Sequence, residues 1–184
     1  MPTACFTGHR KLGKVYYNHI NPAPEWLTLR QNISTVLPQL YEMPYYIDRY
    51  ISGLAIGVDM LAAECVHDFK MNNHNHDITL VAAIPFPSQA NRWPVHTRQH
   101  WSTVVAMCND VQIISEDPYS PEKMQIRNEW MVNQSDYVIA VWNGIKSGGT
   151  WNCMNYAISQ GKSILAFQPN GVSWSIGWVS SELL

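Results

Sequence analysis

The chain has 184 residues, 46% hydrophobic and 14% charged, enough apolar matter for one sizeable core and too little charge for a disordered chain. Twelve basic and fourteen acidic side chains leave a formal charge of −2, without the basic excess expected of a duplex-binding protein. No apolar run reaches the ~18–20 residues of a membrane span, and the amino-terminal MPTACFTGHRK lacks the charged-then-apolar order of a secretory signal. A soluble, cytoplasmic single domain is expected, with the four widely spaced cysteines (Cys5, Cys65, Cys108, Cys153) reduced and buried. Eight tryptophans and nine tyrosines are more than one core needs, which leaves some rings free to line a flat ligand.

Short apolar runs alternate with helical patterns along the chain, as βαβ units do. A strand begins over 4–6, followed by the turn TGHRKLG. A helix is expected over 25–37, with Trp26, Leu29, Ile33, Val36 and Leu37 on one face, and a strand over 45–52. The clearest helix covers 57–71, where Val58, Leu61, Ala62, Cys65, Val66 and Phe69 fall at 0, 3, 4, 7, 8 and 11. The nearly continuous apolar run 78–84 reads as a strand buried on both faces, stopped by Pro85 and Pro87. A helix over 88–108, a strand over 111–114, a helix over 121–134 and a strand over 137–142 follow. A glycine-rich turn then opens a helix over 150–160, and 163–167 is the last central strand. The pattern predicts an α/β fold, a Rossmann-like doubly wound and mostly parallel sheet flanked by helices. Residues 1–168 would form this domain, and the period-less tail 169–184 would fold over an edge or serve a homo-oligomer contact.

Such sheets bind ligands beyond the carboxyl ends of their strands, so the strand-to-helix turns are the places to search. Four of them carry anion donors. The first is Thr7, Gly8, His9 and Arg10, where glycine permits close backbone approach and arginine offers a planar fork. The second includes Ser52, Gly53, Gly57 and Asp59, with backbone N–H groups at a helix start and a carboxylate suited to the helix dipole or to a ribose hydroxyl. It is neither a Walker loop nor G-x-G-x-x-G. The third brings Phe86, Gln89, Arg92 and Trp93 together, a cation and an amide between two rings. The fourth is Gly148, Gly149, Thr150 and Asn152, a flexible backbone with exposed amides and a hydroxyl at a helix start. Trp93 or Trp142 would stack on a base.

The strings ISGLAIGVDMLAAE, IPFPSQANRWP and SGGTWNCMNYA resemble the SLOG superfamily, which contains the DNA-processing protein A domains and the Lonely Guy cytokinin-activating enzymes. The resemblance is strongest to its small stand-alone, YpsA-like branch. It implies nucleotides or nucleotide-derived molecules bound at these same turns, with ADP-ribose-type signals bound by related immunity sensors. The superfamily's enzymes cleave the N-glycosidic bond of a nucleoside monophosphate, using a P-G-G-x-G-T-x-x-E motif and a preceding arginine. Arg127 stands where that arginine would, the glycines at 148 and 149 with Thr150 match part of the motif, and Cys153 occupies the glutamate's place. A neutral thiol stabilises a cationic sugar poorly, and Glu129 or Asp59 would have to substitute.

The stretch Asn73-His74-Asn75-His76-Asp77 suggests a metal cluster, but it falls at the amino-end side of the sheet and reads as a solvated loop. His96 and His100 have zinc spacing without a third ligand in register, so neither metal nor cofactor is expected. The expected function is sensing or sequestering a nucleotide-derived small molecule. The alternatives are a nucleoside-monophosphate N-glycosidase or related transferase, and a single-strand nucleic-acid binder. A charge of −2 argues against the latter.

Overall fold

A computed structural model describes residues 1–72, 77–170 and 173–179. In chain order the elements are β1 (Thr3–Gly8), β2 (Lys11–Leu12), β3 (Val15–Tyr16), α1 (Pro24–Tyr41), β4 (Arg49–Ser52), α2 (Val58–Asn72) and β5 (Thr79–Ile84). They continue with α3 (Val95–Met107), β6 (Asp110–Ile113), α4 (Pro121–Asn133), β7 (Tyr137–Val141), α5 (Gly148–Ser159), β8 (Ser163–Asn170) and β9 (Ser173–Val179). Among the described residues one seven-stranded sheet runs β6-β5-β4-β1-β7-β8-β9, and β2-β3 form a small hairpin. All neighbours in the large sheet pair parallel except β8 and β9.

The central strands are apolar on both faces because both faces are covered. Alternate residues feed two separate cores. Phe6, Tyr50, Leu80, Ala82, Ile139 and Val141 pack with α1 and α2, whereas Cys5, Ile51, Val81, Val138 and Ala140 pack with α4 and α5. This is the Rossmann-like, doubly wound α/β fold that the sequence predicts. From β1 the chain winds outward through β4, β5 and β6, then crosses back to β7 on the other side of β1. The carboxyl ends of β1 and β7 are therefore the switch point where a crevice opens.

Three boundaries differ from expectation for local reasons. The strand foreseen over 45–52 is confined to Arg49–Ser52, because Tyr45 and Tyr46 both donate backbone bonds to Glu42 and Tyr46 sits at a left-handed φ of 50°. The helix foreseen over 88–108 begins only at Val95. Pro94 disfavours helical geometry at Trp93, and 86–93 instead wind through tight turns. The tail after Pro169 supplies the end of β8 and all of β9, extending the sheet by an antiparallel edge strand. The turn after β1 contains the unforeseen hairpin β2-β3. Residues 73–76 of the polar loop, and 171–172 and 180–184 of the tail, lie outside the described residues.

Candidate nucleotide-type ligand site

A cleft of about 820 Å³ opens at the switch point and runs between α4 and α5. Thr7, Gly8, His9 and Arg10 reach it from the end of β1, Asp59 from the first turn of α2, Arg127 from α4, and Gly149, Thr150 and Asn152 from the start of α5.

Arg127 dominates its electrostatics. The side chain is only 4% exposed, and its Nη1 lies 3.5 Å from Asp59 Oδ2 without hydrogen-bond geometry. Among the described residues Nε and Nη1 have no hydrogen-bond partner. Such a buried cation is costly until an anion meets it. Asp59 is also buried, and desolvation pushes its carboxyl up to about 6 despite the opposing pull of Arg127. Near neutral pH the pair therefore sits close to losing its negative partner.

The amino end of α5 adds a second attraction. Ser147 makes no side-chain cap there, so the first amides of the helix point outward with the positive end of its dipole. His9 contributes a neutral ring. Burial holds it below the usual imidazole range, and its Nε2 accepts a hydrogen bond from the Asn143 N–H at 3.3 Å. The remaining proton is thus on Nδ1.

The glycines of the second turn serve packing. A Cβ on Gly53 would lie 1.2 Å from Arg127 Nη1, so the bare backbone there makes room for the guanidinium. Gly57, at φ 106°, lets His9 O approach to where its Cβ would be 2.5 Å away, and the Val58 N–H donates to that same oxygen. Ser52 Oγ donates to Asp59 O and accepts from the Leu54 N–H. Ser52, Gly53 and Gly57 therefore shape the cleft from behind without lining it.

A second cavity of about 380 Å³ adjoins the first, sharing Arg10, Ala55, Tyr119 and Met124 with it. Phe86, Gln89, Arg92 and Trp93 line this one. Phe86 is buried with its ring edge-on to Tyr119, Trp93 packs against Trp101, and Arg92 is exposed. A third groove, of about 990 Å³, lies beside the hairpin and holds Arg10, Lys11, Lys14, Trp142 and Trp174.

The profile of the YspA SLOG family matches residues 4–166. The chain belongs to that family. It is 34% identical over 147 residues to the SPbeta prophage-derived protein YoqJ of Bacillus subtilis (strain 168), covering 73% of this chain and 82% of YoqJ. A UPF0398 protein of Bacillus cereus (strain B4264) is 31% identical over 99 residues, which span 53% of this chain and 52% of that protein. Two solved structures share the fold. DNA processing protein A from Streptococcus pneumoniae superposes with a TM-score of 0.58 at 15% identity, covering 90% of this chain and 50% of that one. The Helicobacter pylori protein, solved for its single-stranded DNA binding mode, gives 0.60 at 19% identity over 95% and 68%. The chain thus spans about half of the pneumococcal structure and of the Bacillus cereus relative.

In this YspA SLOG member the four turns foreseen from sequence converge on one end of the sheet, divided between two adjoining cavities. Gly148 precedes the lining residues of α5. Trp142 is 4% exposed, stacks on Trp151 at 5.4 Å and donates from Nε1 to Ile145 O, so its ring serves packing at the edge of the third groove. Cys153 is fully buried behind the cleft, and desolvation pushes its thiol up to about 11. Glu129 accepts a hydrogen bond from Gln125 and does not line the cleft. Sequence reading missed Tyr119 and the polar face of α5, Asn155, Tyr156 and Ser159. With Asn152 these fall at 0, 3, 4 and 7, a polar stripe that was there to be read. His100 lies 2.6 Å from Glu64 and stacks on His19, and no group of three or more metal-ligating side chains occurs among the described residues. No helix among them is long and apolar enough to cross a membrane.

Proposed function

We propose that the cleft holds a phosphorylated, nucleotide-type small molecule, of the ADP-ribose kind, and does not cleave it. The observation that carries this reading is Arg127, buried beside the cleft with two guanidinium nitrogens that lack a hydrogen-bond partner among the described residues, and with Asp59, 3.5 Å away, as the ion-pair partner of one of them. A phosphate oxygen supplies the acceptors that these nitrogens lack, and the uncapped start of α5 favours the same charge. Binding without cleavage is supported by Cys153, whose buried neutral thiol can neither stabilise a cationic sugar nor activate water. Asp59 is the carboxyl left to act if cleavage does occur.

Calorimetry with AMP, ADP-ribose, NAD and cyclic ADP-ribose, followed by mass spectrometry of each mixture, tests the reading. We expect one of them to bind and be recovered intact, with affinity falling roughly ten- to hundredfold in Arg127→Met for loss of charge-assisted bonds. Absence of binding by all four would overturn it, and a released base would replace it with N-glycosidase activity.

A second reading, single-stranded nucleic acid, is favoured by the groove that sets Arg10, Lys11 and Lys14 beside the half-buried Trp174. An oligonucleotide arm in the same titration distinguishes it, since strand binding weakens steeply with salt.

A further inference from the structure

One residue that lines the second cavity carries a buried polar atom whose situation specifies chemistry. Gln89 is 7% exposed and lines this cavity. Its Nε2 donates to Gly53 O at 3.1 Å and Leu54 O at 3.3 Å. Those two carbonyls use both hydrogens of the amide nitrogen and fix which end of the amide is oxygen. Gln89 Oε1 is left buried, with no hydrogen-bond partner among the described residues. An amide oxygen can only accept, so whatever satisfies it must bring an N–H or O–H.

The surroundings specify the rest. Phe86, Trp93 and Tyr119 give the cavity aromatic walls suited to a flat ring. Arg10 and Tyr119 belong to both cavities, so a molecule anchored by its phosphate beside Arg127 can extend its other end here. Gly53 links the two ends physically: its carbonyl orients Gln89, while its missing Cβ admits Arg127.

We propose that this cavity takes the heterocyclic ring of the ligand, and that Gln89 Oε1 selects a ring presenting an N–H donor at its edge. Gln89 is then the specificity-determining residue of the site. The inference rests on the phosphate reading of the first cleft, and the test separates the two.

Wild-type protein is titrated with ribose 5-phosphate, with AMP, GMP, CMP and UMP, and with purine riboside and pyrimidin-2-one riboside 5′-monophosphates, whose rings carry no N–H. Ribose 5-phosphate is expected to bind weakly, and the tightest of the four nucleotides to bind roughly ten- to hundredfold better than its donor-less analogue, as leaving a buried acceptor unmet implies. In Gln89→Met that preference should vanish while ribose 5-phosphate affinity persists. Failure of every one of these phosphates, and of ADP-ribose, to bind the wild type would refute the first-cleft reading and this one with it. Binding of ribose 5-phosphate with equal affinity for a nucleotide and its donor-less analogue would leave that reading standing and refute this one. The wild-type comparison decides even if Gln89→Met folds poorly.

Discussion

Replacing Gly53 with alanine adds a single methyl where the structure has no room for one. The new Cβ would lie 1.2 Å from Arg127 Nη1, 2.3 Å from Cζ and 2.9 Å from Asp59 Oδ2. Gly53 has no left-handed φ, so backbone strain plays no part. The guanidinium must move, and it is the far end of a long side chain, so folding should lose about 1–3 kcal/mol, the usual cost of overpacking. For a chain of this size each kcal/mol lowers the melting temperature by about 2–4 °C. Binding should suffer more, because the displaced cation no longer faces the cleft. Loss of its charge-assisted bonds costs about 1.5–3 kcal/mol, roughly ten- to hundredfold in affinity. Gly149→Ala is the matched control: nothing lies within 4 Å of its added Cβ, and alanine favours the first turn of α5. Its melting temperature should hold or rise. Calorimetry and thermal melting of both variants, and of Gly53→Ala in an Arg127→Met background, complete the experiment. In that background the methyl should cost much less, since the group it displaces is gone. Wild-type affinity and stability in Gly53→Ala would refute the placement of Arg127 against this backbone.

The raised Asp59 carboxyl makes binding pH-dependent. As pH falls from about 7.5 through 6, protonation removes a negative charge from the cleft, so ADP-ribose should bind more tightly; Asp59→Asn should bind tightly at pH 7.5 and flatten the profile, leaving whatever His9 contributes. In stability the sign is the same: the folded state holds this proton above its unfolded value of about 4, so the Asp59 contribution falls between pH 4 and 6 and is flat above, a slope that urea titrations of wild type and Asp59→Asn will show. Trp142→Ala should lower stability by about 3–5 kcal/mol, while Trp142→Phe keeps ligand affinity unchanged; a Trp142→Phe variant that folds well but loses binding would return this ring to the site.

The architecture could be read from the sequence because apolar periodicity is a local signal that burial on two faces enforces. The stripe at Val58–Phe69 and the run before Pro85 each became the element expected. The hairpin β2-β3 was illegible because its strands are two residues each, too short for any period. The anion-rich turns were visible since chemistry-bearing residues follow strand ends. What could not be seen was the division of labour among them. Gly53 and Gly57 looked like ligand-facing backbone, yet their bareness accommodates Arg127 and His9, a long-range contact with no trace in sequence spacing. Trp142 looked like a stacking platform because nothing local reveals that Trp151 already covers it. Tyr119 was missed for the converse reason: it sits in a polar loop, where an aromatic residue reads as surface.

The position of β1 at the centre of the sheet has a consequence for how the protein acquires its site during synthesis. Its partner β4 arrives early, but the Thr3 N–H is met by Asp136, 133 residues further along, and β7 completes the other flank. Until that segment has emerged, one side of β1 remains an open edge, and the first turn has no start of α5 to face. Pairings so distant in sequence are the slow steps of assembly. A nascent chain ending before β7 can gather α1, α2 and their strands, yet it presents only half a cleft. On the proposed reading, ligand capture needs both β1 and α5 in place, and a bound molecule would fasten together segments far apart in the sequence.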